Sequence, residues 1–320
     1  MYHTLFELTE DHLLEGSRSI PLGYVSTSHI DFDKGLMYFG EPVENFSDEP
    51  TDQLVERFLG QVPFYALNEE TKILIDQIDR SLTPFEQLHQ AIDILGSEEY
   101  KADFKEQVLS VVGSIKEIAE ILFGPLPIDP LFYALHLDEG GGSPPAFIAK
   151  ALASNGADGY KSIQGALLSF ASAKIGHQMQ NALIMLQNLD FEEMDEQILQ
   201  MIESGQTIWG YDIYPFQKVD TRAQIFERAL AERFMDEPLF QKAVLFKQKI
   251  QKVPHSHAFS GLYLFCRGFE EIRYYSVILF LARIIGVAAQ LLDQNANKCL
   301  EIHPYYFYRK KQTEVEDDVG

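Results

Sequence analysis

A histidine followed four residues later by an asparagine is the first feature of the chain that could perform chemistry. His177 and Asn181 occur in the segment SAKIGHQMQNAL, and side chains four residues apart lie on one face of a helix. Histidine titrates near neutral pH and can donate, accept or transfer a proton. The spacing therefore predicts a site residue at His177 with Asn181 beside it. A histidine that only packs in the core or at the surface is the alternative.

Arg283 is a second candidate because it lies at the centre of an apolar stretch, YYSVILFLARIIGVAAQLL, over residues 274–292. An arginine at the centre of a bilayer is unfavourable by about 2.5 kcal/mol or more. We therefore expect a helix buried in a protein core, and no membrane partner. The guanidinium then needs an anion. That anion is either a substrate carboxylate, which an arginine binds through two parallel hydrogen bonds, or an internal carboxylate such as Asp138 or Glu139 in a buried ion pair.

His255 and His257 form a closely spaced pair in HSHAFSG. Two histidines can ligate zinc, but no third ligand stands at a recognisable spacing, so we expect no metal site. The chain also lacks a GxGxxG or GxxxxGK[ST] string, which removes the common dinucleotide-binding and P-loop interpretations. We expect no bound cofactor.

The composition limits the class of partner and the compartment. Of 320 residues, 26 are Lys or Arg and 48 are Asp or Glu, for a net charge of −22. Such an acidic surface repels phosphate backbones, so we expect no nucleic-acid partner. Two cysteines, Cys266 and Cys299, cannot build a disulfide framework. The segment MYHTLFELTEDHLLEG has no basic region followed by an apolar one, and we expect a cytoplasmic protein.

The elements that must position these residues are mostly helical. Thr83-Pro84-Phe85-Glu86 has the pattern of a capping box with proline at the first helical position, and apolar residues recur at helical spacing between 101 and 123. Further helices are predicted over 50–58, 85–95, 144–154, 160–173, 175–189, 192–202, 221–235, 237–252 and 274–294. The segments 24–30 and 36–39, separated by Asp33-Lys34-Gly35, predict a β-hairpin.

Several segments, taken in chain order, resemble the citrate synthase family, and the resemblance covers most of the chain. The segments are LLEGSRSIPLGYVSTSHIDFDKGLMYFGEPVENFSD at 13–48, LTPFEQLHQAIDILG at 82–96, LHLDEGGGSPPAFIAKALASNGADGYKSIQGALLSF at 135–170, SGLYLFCRGF at 260–269 and LARIIGVAAQLLDQ at 281–294. Each is short, and the resemblance is carried by their order and spacing.

The resemblance implies an all-α, citrate synthase-like two-domain helical fold with a short N-terminal β-hairpin. Residues 1–185 and 280–320 would form a large helical domain, and residues 186–279 a small one. It also implies a homodimer with sites between domains and subunits. In that dimer, the apolar stripe of 104–122 and the aromatic residues of 305–308 would lie near the interface.

The resemblance also implies roles for particular residues. His177 matches the family histidine that polarises the thioester carbonyl of an acyl-CoA. Tyr211 stands where the family has a histidine that binds the keto group of the second substrate, or Asp212 does if the alignment shifts by one residue. Tyr211 would be either a hydrogen-bond donor to an oxyanion or an aromatic ring that fills space. Arg222, in Asp220-Thr221-Arg222, matches the arginine of the family's D-P-R element.

Four further positions complete the implied site. Arg283 matches the family's carboxylate-binding arginine. His257 replaces the aspartate that acts as general base, Glu139 replaces a histidine, and His303 replaces an arginine that reaches the neighbouring subunit's substrate. These exchanges remove positive charge from the pocket that would hold a dicarboxylate, while each new side chain can still transfer a proton or form hydrogen bonds.

The sequence thus predicts catalytic roles for His177, Tyr211 and His257, and substrate-binding roles for Glu139, Asn181, Arg222, Arg283 and His303. The expected function is that of a repurposed enzyme, an acyltransferase or lyase that makes or breaks a C–C or thioester bond in an acyl-CoA or related thioester. A carboxylate acceptor is an open possibility, and ordinary citrate synthesis is not expected. The alternative is a non-catalytic, citrate synthase-like homodimeric scaffold or regulatory protein.

Overall fold

The chain folds into packed α-helices with a small β-sheet near its beginning. The structure is a computed structural model that describes residues 6–14, 20–127, 129–216, 218–296 and 301–304. Within those residues it has helices in nearly every segment after residue 50 and strands only between 28 and 42. The predicted all-α fold with an early hairpin is confirmed.

The helices alternate with short loops. Their bounds are α1 (Glu10–Leu14), α2 (Thr51–Leu59), α3 (Glu69–Asp76), α4 (Pro84–Glu98), α5 (Phe104–Phe123), α6 (Pro130–His136), α7 (Pro144–Ser154), α8 (Gly159–Phe170), α9 (Gln178–Asn188), α10 (Met194–Glu203), α11 (Thr221–Phe234), α12 (Pro238–Ile250), α13 (His257–Cys266) and α14 (Tyr275–Ala296). Short 3-10 helices occur at Val43–Phe46 and Ile272–Tyr274.

Local signals in the sequence explain where several of these helices begin and end. Thr83 accepts a hydrogen bond from the backbone of Glu86, whose side chain returns to the Thr83 backbone, so the predicted capping box is present. The side chain of Asp103 caps α5 through the Glu106 backbone. Gly60 ends α2 with a φ of +75°, a left-handed conformation that glycine adopts without strain.

The three strands form one antiparallel meander. They are β1 (Ser28–Asp31), β2 (Gly35–Tyr38) and β3 (Glu41–Pro42), in the order β1-β2-β3. The predicted hairpin is present around Gly35, although β1 begins later than residue 24 because the preceding residues pair with no strand in the described chain. Tyr38 is fully buried, and its hydroxyl accepts a hydrogen bond from the Asp138 backbone at 3.3 Å. The sheet therefore supports the loop that follows α6.

Helix α14 is the central helix of the structure. It contacts α2, α5, α6, α7, α8 and α9, and almost every side chain from Tyr275 to Leu291 is buried. The segment Ile272–Ala296 is long and apolar enough to cross a membrane, but 94% of its apolar window is buried inside the structure. The prediction of a core helix for this stretch agrees with that burial.

The sequence predicts two segments near a dimer interface, the apolar stripe of α5 and the aromatic residues of 305–308. The apolar stripe of α5 is buried within the chain itself, since Val108, Ile115 and Ile118 are at most 3% exposed, and α5 packs on α3, α4, α8 and α14. Much of that stripe is therefore covered by helices of the same chain, and its place near a dimer interface stays a prediction. The aromatic residues of 305–308 lie outside the described residues. The division into domains at 185 and 280 stays a prediction.

Candidate functional site

The carboxylate of Glu139 is the centre of a buried group of charges. Arg222 Nη1 donates to its Oε1 at 2.9 Å, and Arg283 Nη1 donates to its Oε2 at 2.6 Å. Glu139 follows α6, Arg222 lies in the first turn of α11, and Arg283 lies within α14, so three distant segments meet here. Of the two anions expected for Arg283, the structure contains the internal one, an ion pair with Glu139.

Asp220 supplies a second carboxylate to the same group. It caps α11 by accepting the backbone N–H of Arg222 at 3.2 Å. Its Oδ1 accepts from Arg222 Nε and its Oδ2 from Arg222 Nη2, both at 2.9 Å. Burial by itself would raise the pKa of Asp220, but the Arg222 charge and the neighbouring His255 outweigh burial and lower it. Two arginines thus face two ionised carboxylates, and the charges balance.

Glu139 is held ionised by the same neighbours. Burial opposes the charged form, yet the charges of Arg283 and Arg222, with the nearby His255, hold the pKa of Glu139 well below its ordinary value. Its side chain is 17% exposed, whereas the two guanidiniums are 2% exposed or less. Of these three side chains, Glu139 is therefore the one that solvent reaches most easily.

A glycine lets α14 approach the loop that carries Glu139. A Cβ at Gly286 would lie 2.3 Å from the backbone oxygen of Leu137 and 2.4 Å from the Cβ of Asp138. The Gly286 N–H donates to that Leu137 oxygen at 3.0 Å. Arg283, one turn earlier on α14, donates through Nε to the backbone oxygen of His136 at 2.8 Å. The close approach fixes the guanidinium beside Glu139.

Three histidines form a stack beside the arginines. The His255 and His257 ring centroids are 4.6 Å apart, and the His257 and His136 centroids are 5.4 Å apart with nearly parallel rings. The His255 backbone N–H donates to the Gly210 oxygen at 2.8 Å, which anchors the segment before α13. His255 Nε2 lies 3.1 Å from Arg222 Nη2, so the stack and the charge group are in direct contact.

The two inner histidines are neutral. Burial lowers the pKa of His257 well below its ordinary value of 6.5, and the neighbouring His255 and the guanidiniums act in the same direction, against a smaller effect of Glu139. Burial likewise lowers the pKa of His136, with His257 and the two arginines adding to the effect. A neutral imidazole has one nitrogen free to accept a proton.

Several buried polar atoms of this region lack a hydrogen-bond partner within the described part of the chain. They are both ring nitrogens of His136, the Nδ1 of His257, the Nη2 of Arg283 and the Oγ of Ser260. Buried polar atoms almost always have partners in folded proteins. A group of unpartnered atoms around the imidazole of His257 is typical of a position that water or a small polar ligand completes.

A metal ion fits this group poorly. Glu139, His255 and His257 offer ligand atoms that all lie within 4.8 Å of one another, so the fold supplies a third ligand that spacing along the chain did not reveal. Both Glu139 oxygens, however, already accept from guanidinium groups, and His255 Nε2 contacts Arg222. A divalent cation would have to approach two buried positive charges, and we still expect no metal here.

The predicted catalytic residues His177 and Tyr211 make their ring contacts with phenylalanines and not with the histidine stack. His177 immediately precedes α9 as its N-cap and is half-buried, with its ring 6.4 Å from that of Phe85. Tyr211 is buried with its ring against Phe246, 5.5 Å away. No hydrogen bond or ring contact joins either side chain to His257. Whether one substrate reaches all three side chains, as the sequence suggests, stays a prediction, and so do their catalytic roles.

The environment of Tyr211 matches the second expectation for it, a ring that fills space. Asp212, the other residue considered at this position, accepts the Val253 N–H at 3.0 Å and pairs with Lys252. Asp212 thus joins its own turn to the segment after α12.

Asn181 lines a separate cleft of about 300 Å³ between α9, α10 and the loop before Tyr211. Five amide side chains and several apolar ones form its walls, and none of the wall residues is charged. They are Asn181, Ile184, Met185, Asn188, Leu189, Gln197, Gln200, Met201, Gln206 and Trp209. His177 is not one of the wall residues. It lies immediately before the first turn of α9.

His303 is exposed in this structure. Its side chain is 83% exposed, with Nδ1 at 3.5 Å from the Glu301 carboxylate. The neighbouring Ile302 N–H donates to Ser154 Oγ at the end of α7, so this short segment lies on the α7 side of the chain. The proposed reach of His303 toward a partner's substrate stays a prediction.

Sequence reasoning missed two members of the buried group, Asp220 and His136, and considered His255 only as a metal ligand. Asp220 carries a signal, since aspartate before Thr221 is a preferred helix N-cap, but capping does not reveal that both of its oxygens also bind Arg222. His136 has no spacing that links it to His257. Its part in the stack follows from the packing of α6 against α11 and α13.

The comparisons with known proteins agree with the fold. The sequence model of the family described as "Citrate synthase, C-terminal domain" matches residues 130–304, more than half of the chain. A mitochondrial citrate synthase of Solanum tuberosum is 26% identical over 184 residues, which cover 52% of this chain and 39% of that protein. A probable mitochondrial citrate synthase of Glossina morsitans morsitans is 22% identical over 380 residues, covering 91% of this chain and 82% of that protein.

A solved structure extends the likeness to the whole fold. It is a ternary complex of carboxymethyl coenzyme A and oxaloacetate with the citrate synthase of Thermoplasma acidophilum. The two chains superpose with a TM-score of 0.80 at 17% identity, over 94% of this chain and 97% of the other. The chain belongs to the citrate synthase family. It spans about two fifths of the length of the potato relative that it matches.

Proposed function

We propose that this protein is an enzyme of the citrate synthase type with an altered active site, which makes or breaks a C–C or thioester bond in an acyl-CoA or related thioester. Membership of the family supports a transferase or lyase activity. The observation that carries the proposal is the buried, neutral His257, whose Nδ1 has no partner in the described chain and which stands beside the Glu139–Arg222–Arg283 group.

In this proposal His257 is the general base. A neutral imidazole can take a proton from the carbon next to a thioester carbonyl, because that step needs an acceptor that is unprotonated at neutral pH. The low pKa of His257 keeps the acceptor in that state. When the imidazole gains a proton, the nearby Glu139 carboxylate favours the resulting positive charge. The base and its supporting charge thus lie in one buried group.

The charge balance argues against oxaloacetate as the second substrate. Arg222 is already paired with Asp220 and Glu139, and Arg283 is paired with Glu139. A dicarboxylate would add two negative charges to a group whose charges already cancel, and it would have to displace Glu139. We therefore propose that the acceptor is neutral or carries its carboxylate elsewhere, and that ordinary citrate synthesis is absent or very weak.

For the carrier of the acyl group we assign the amide-lined cleft that contains Asn181 and Trp209. Amide side chains and an indole suit a neutral, polar and partly planar group, which describes much of a coenzyme A molecule outside its phosphates. The uncharged wall leaves the phosphates to solvent or to residues beyond the cleft. The solved Thermoplasma acidophilum relative binds carboxymethyl coenzyme A, which supports a thioester carrier of that kind.

We propose that the protein acts as a homodimer. Helices α7 and α8 pack closely on each other, yet Ile148, Leu152 and Leu168 remain between 36% and 56% exposed on them. Exposed apolar side chains gathered on adjoining helices favour coverage by another protein surface. A second copy of this chain would bury them.

A non-catalytic scaffold is the second candidate, and two observations favour it. Glu139 occupies both arginines, and among the described residues no hydrogen bond or ring contact joins His177 to His257. If the fold kept its shape but lost substrate access, this arrangement would result. The enzyme proposal and the scaffold proposal differ in whether the histidines affect turnover.

The deciding experiment measures release of free thiol from a panel of acyl-CoA thioesters, alone and with small carbonyl acceptors, by the purified protein. The variants His257→Ala and His177→Ala should lower turnover by about 10²-fold or more while far-ultraviolet circular dichroism shows a folded chain. His89→Ala is the matched control, because His89 is a partly exposed histidine that pairs with Asp93 within α4. Wild-type turnover in both test variants, or no turnover with any thioester, would contradict the enzyme proposal and leave the non-catalytic scaffold as the function. Robust citrate synthesis from acetyl-CoA and oxaloacetate would contradict the altered site.

A further inference from the structure

The arginine pair around Glu139 has the geometry of an anion-binding site that is already filled. One carboxylate receives two charged hydrogen bonds, at 2.9 Å from Arg222 and 2.6 Å from Arg283. His255 Nε2 also lies 3.6 Å from Glu139 Oε1, the oxygen that accepts from Arg222. Charge-assisted bonds to both oxygens of a carboxylate are the contacts by which proteins recognise bound carboxylate ligands. Here the carboxylate belongs to the protein.

The two arginines depend on Glu139 to different degrees. Arg222 also binds both oxygens of Asp220, so it keeps a carboxylate if Glu139 is removed. Arg283 has no other carboxylate within ion-pair distance in the described chain. Its Nε donates to the His136 backbone, and its Nη2 has no partner among the described residues. Loss of Glu139 would therefore leave Arg283 as a buried cation that needs an anion.

The backbone around Glu139 is fixed, so the carboxylate is a permanent occupant and not a gate. The Glu139 N–H donates to Asp138 Oδ1 at 2.8 Å, and the next N–H, of Gly140, donates to Ser28 Oγ at 3.0 Å. A Cβ on Gly141 would lie 2.7 Å from Val25 and 2.8 Å from Gln290, which shows how tightly this loop is packed. The hydrogen bonds from both arginines then hold the Glu139 carboxylate itself.

We infer that Glu139 is an internal carboxylate ligand that takes the place of a substrate carboxylate at Arg222 and Arg283. The intact chain then binds no free carboxylate at this pair. Truncation of Glu139 opens a site for a small monocarboxylate such as acetate or formate, which is the part of the side chain that truncation removes. The inference deepens the proposed function by naming the substrate class, a thioester and acceptor without a free carboxylate at this pair. It concerns binding alone and is tested without any turnover assay.

The test compares Glu139→Ala with the unaltered protein, with sodium acetate as probe and with sodium chloride at equal ionic strength and acetamide as reference solutes. We expect acetate to raise the thermal midpoint of Glu139→Ala and to bind it by calorimetry, with at least tenfold weaker binding to the unaltered protein. Acetamide, which has the shape of acetate without its charge, should have no effect. Glu227→Ala is the matched control, because Glu227 is also a partly buried carboxylate, paired with Lys247, and acetate should not stabilise it.

Three results would overturn the inference. The first is a folded Glu139→Ala protein that acetate does not stabilise. The second is equal acetate binding by the unaltered protein that is lost in Arg283→Met, since the pair would then have been open from the start. The third is that acetate stabilises Glu139→Gln as much as it stabilises Glu139→Ala, because glutamine fills the space that acetate would need. If Glu139→Ala is unfolded in chloride, its recovery in acetate supports the inference. If it recovers in neither salt, the titrations of the unaltered protein and of Glu139→Gln decide.

Discussion

The buried histidines make the stability of this protein depend on pH in a way that can be calculated. His136 and His257 are neutral in the folded chain, because burial lowers their pKa well below the ordinary value of 6.5. In the unfolded chain both titrate near that ordinary value. Between the two values the unfolded state binds more protons than the folded state, so the free energy of unfolding falls as the pH falls below about 6.5.

The magnitude follows from proton linkage. On going from about pH 7.5 to about pH 5.5, each such histidine lowers the free energy of unfolding by about 1.4 kcal/mol, so the pair lowers it by about 2.7 kcal/mol. The half-buried His177, whose pKa burial also lowers, adds a smaller loss of the same sign. Glu139 and Asp220 contribute only at lower pH, since their folded pKa values are depressed and their unfolded forms titrate near 4.5 and 3.8.

Urea unfolding at a series of pH values measures this slope. His257→Leu removes one of the two groups and should reduce the loss between the two pH values by about 1.4 kcal/mol. His303→Leu is the control, because its ring is 83% exposed, and it should leave the slope unchanged. A free energy of unfolding that stays level over this range in the unaltered protein would refute the reasoning, since His136 and His257 would then gain protons in the folded state.

Two further predictions concern packing and assembly. Gly286→Ala should lower the free energy of unfolding by about 1–3 kcal/mol, measured in urea, because its Cβ would meet the Leu137 oxygen at 2.3 Å. Gly142→Ala, where a Cβ meets nothing within 4 Å, should change it little, and equal losses would contradict the packing argument. Leu168→Glu should turn the proposed dimer into a monomer by light scattering, whereas Leu199→Glu, on an equally exposed leucine of α10, should not. A monomeric unaltered protein would contradict the dimer itself.

The fold was largely accessible from the sequence because its helices carry their own boundary signals. The capping box at Thr83 acts within one turn of chain, so local reasoning finds it. The cap at Asp103 and the glycine at the end of α2 are equally local. Four helices, α1, α3, α6 and α13, were not predicted. Helix α1 has five residues, and α13 is buried at every position from His257 to Leu264, so it shows no polar face. The other two are short. They are only eight and seven residues long, too short for a full period of apolar residues to recur.

The site was accessible only in part because its contacts join residues far apart in the chain. Arg283 could be identified as a charged residue in an apolar helix, and the sequence analysis named Asp138 and Glu139 as examples of an internal partner. It did not reveal that Glu139 binds Arg222 as well, since that contact depends on how α6 and α11 pack. His177 was expected on the same helical face as Asn181, but α9 begins one residue after it. His177 is the N-cap and its backbone oxygen accepts the Asn181 N–H at 2.8 Å, but its side chain is not among those that line the cleft with Asn181.

The shared carboxylate of Glu139 restricts the order in which substitutions can accumulate in this protein. Losing one partner of a buried ion pair is unfavourable by about 3–5 kcal/mol, a large part of the roughly 5–15 kcal/mol that keeps a typical protein folded. A chain that changed Arg283 first would leave Glu139 Oε2 without its charged partner, although Arg222 would still bind Oε1. A chain that changed Glu139 first would carry an uncompensated Arg283. Descendants are therefore expected to retain both residues or to replace both within a short interval, so the history of this site is one of paired exchanges.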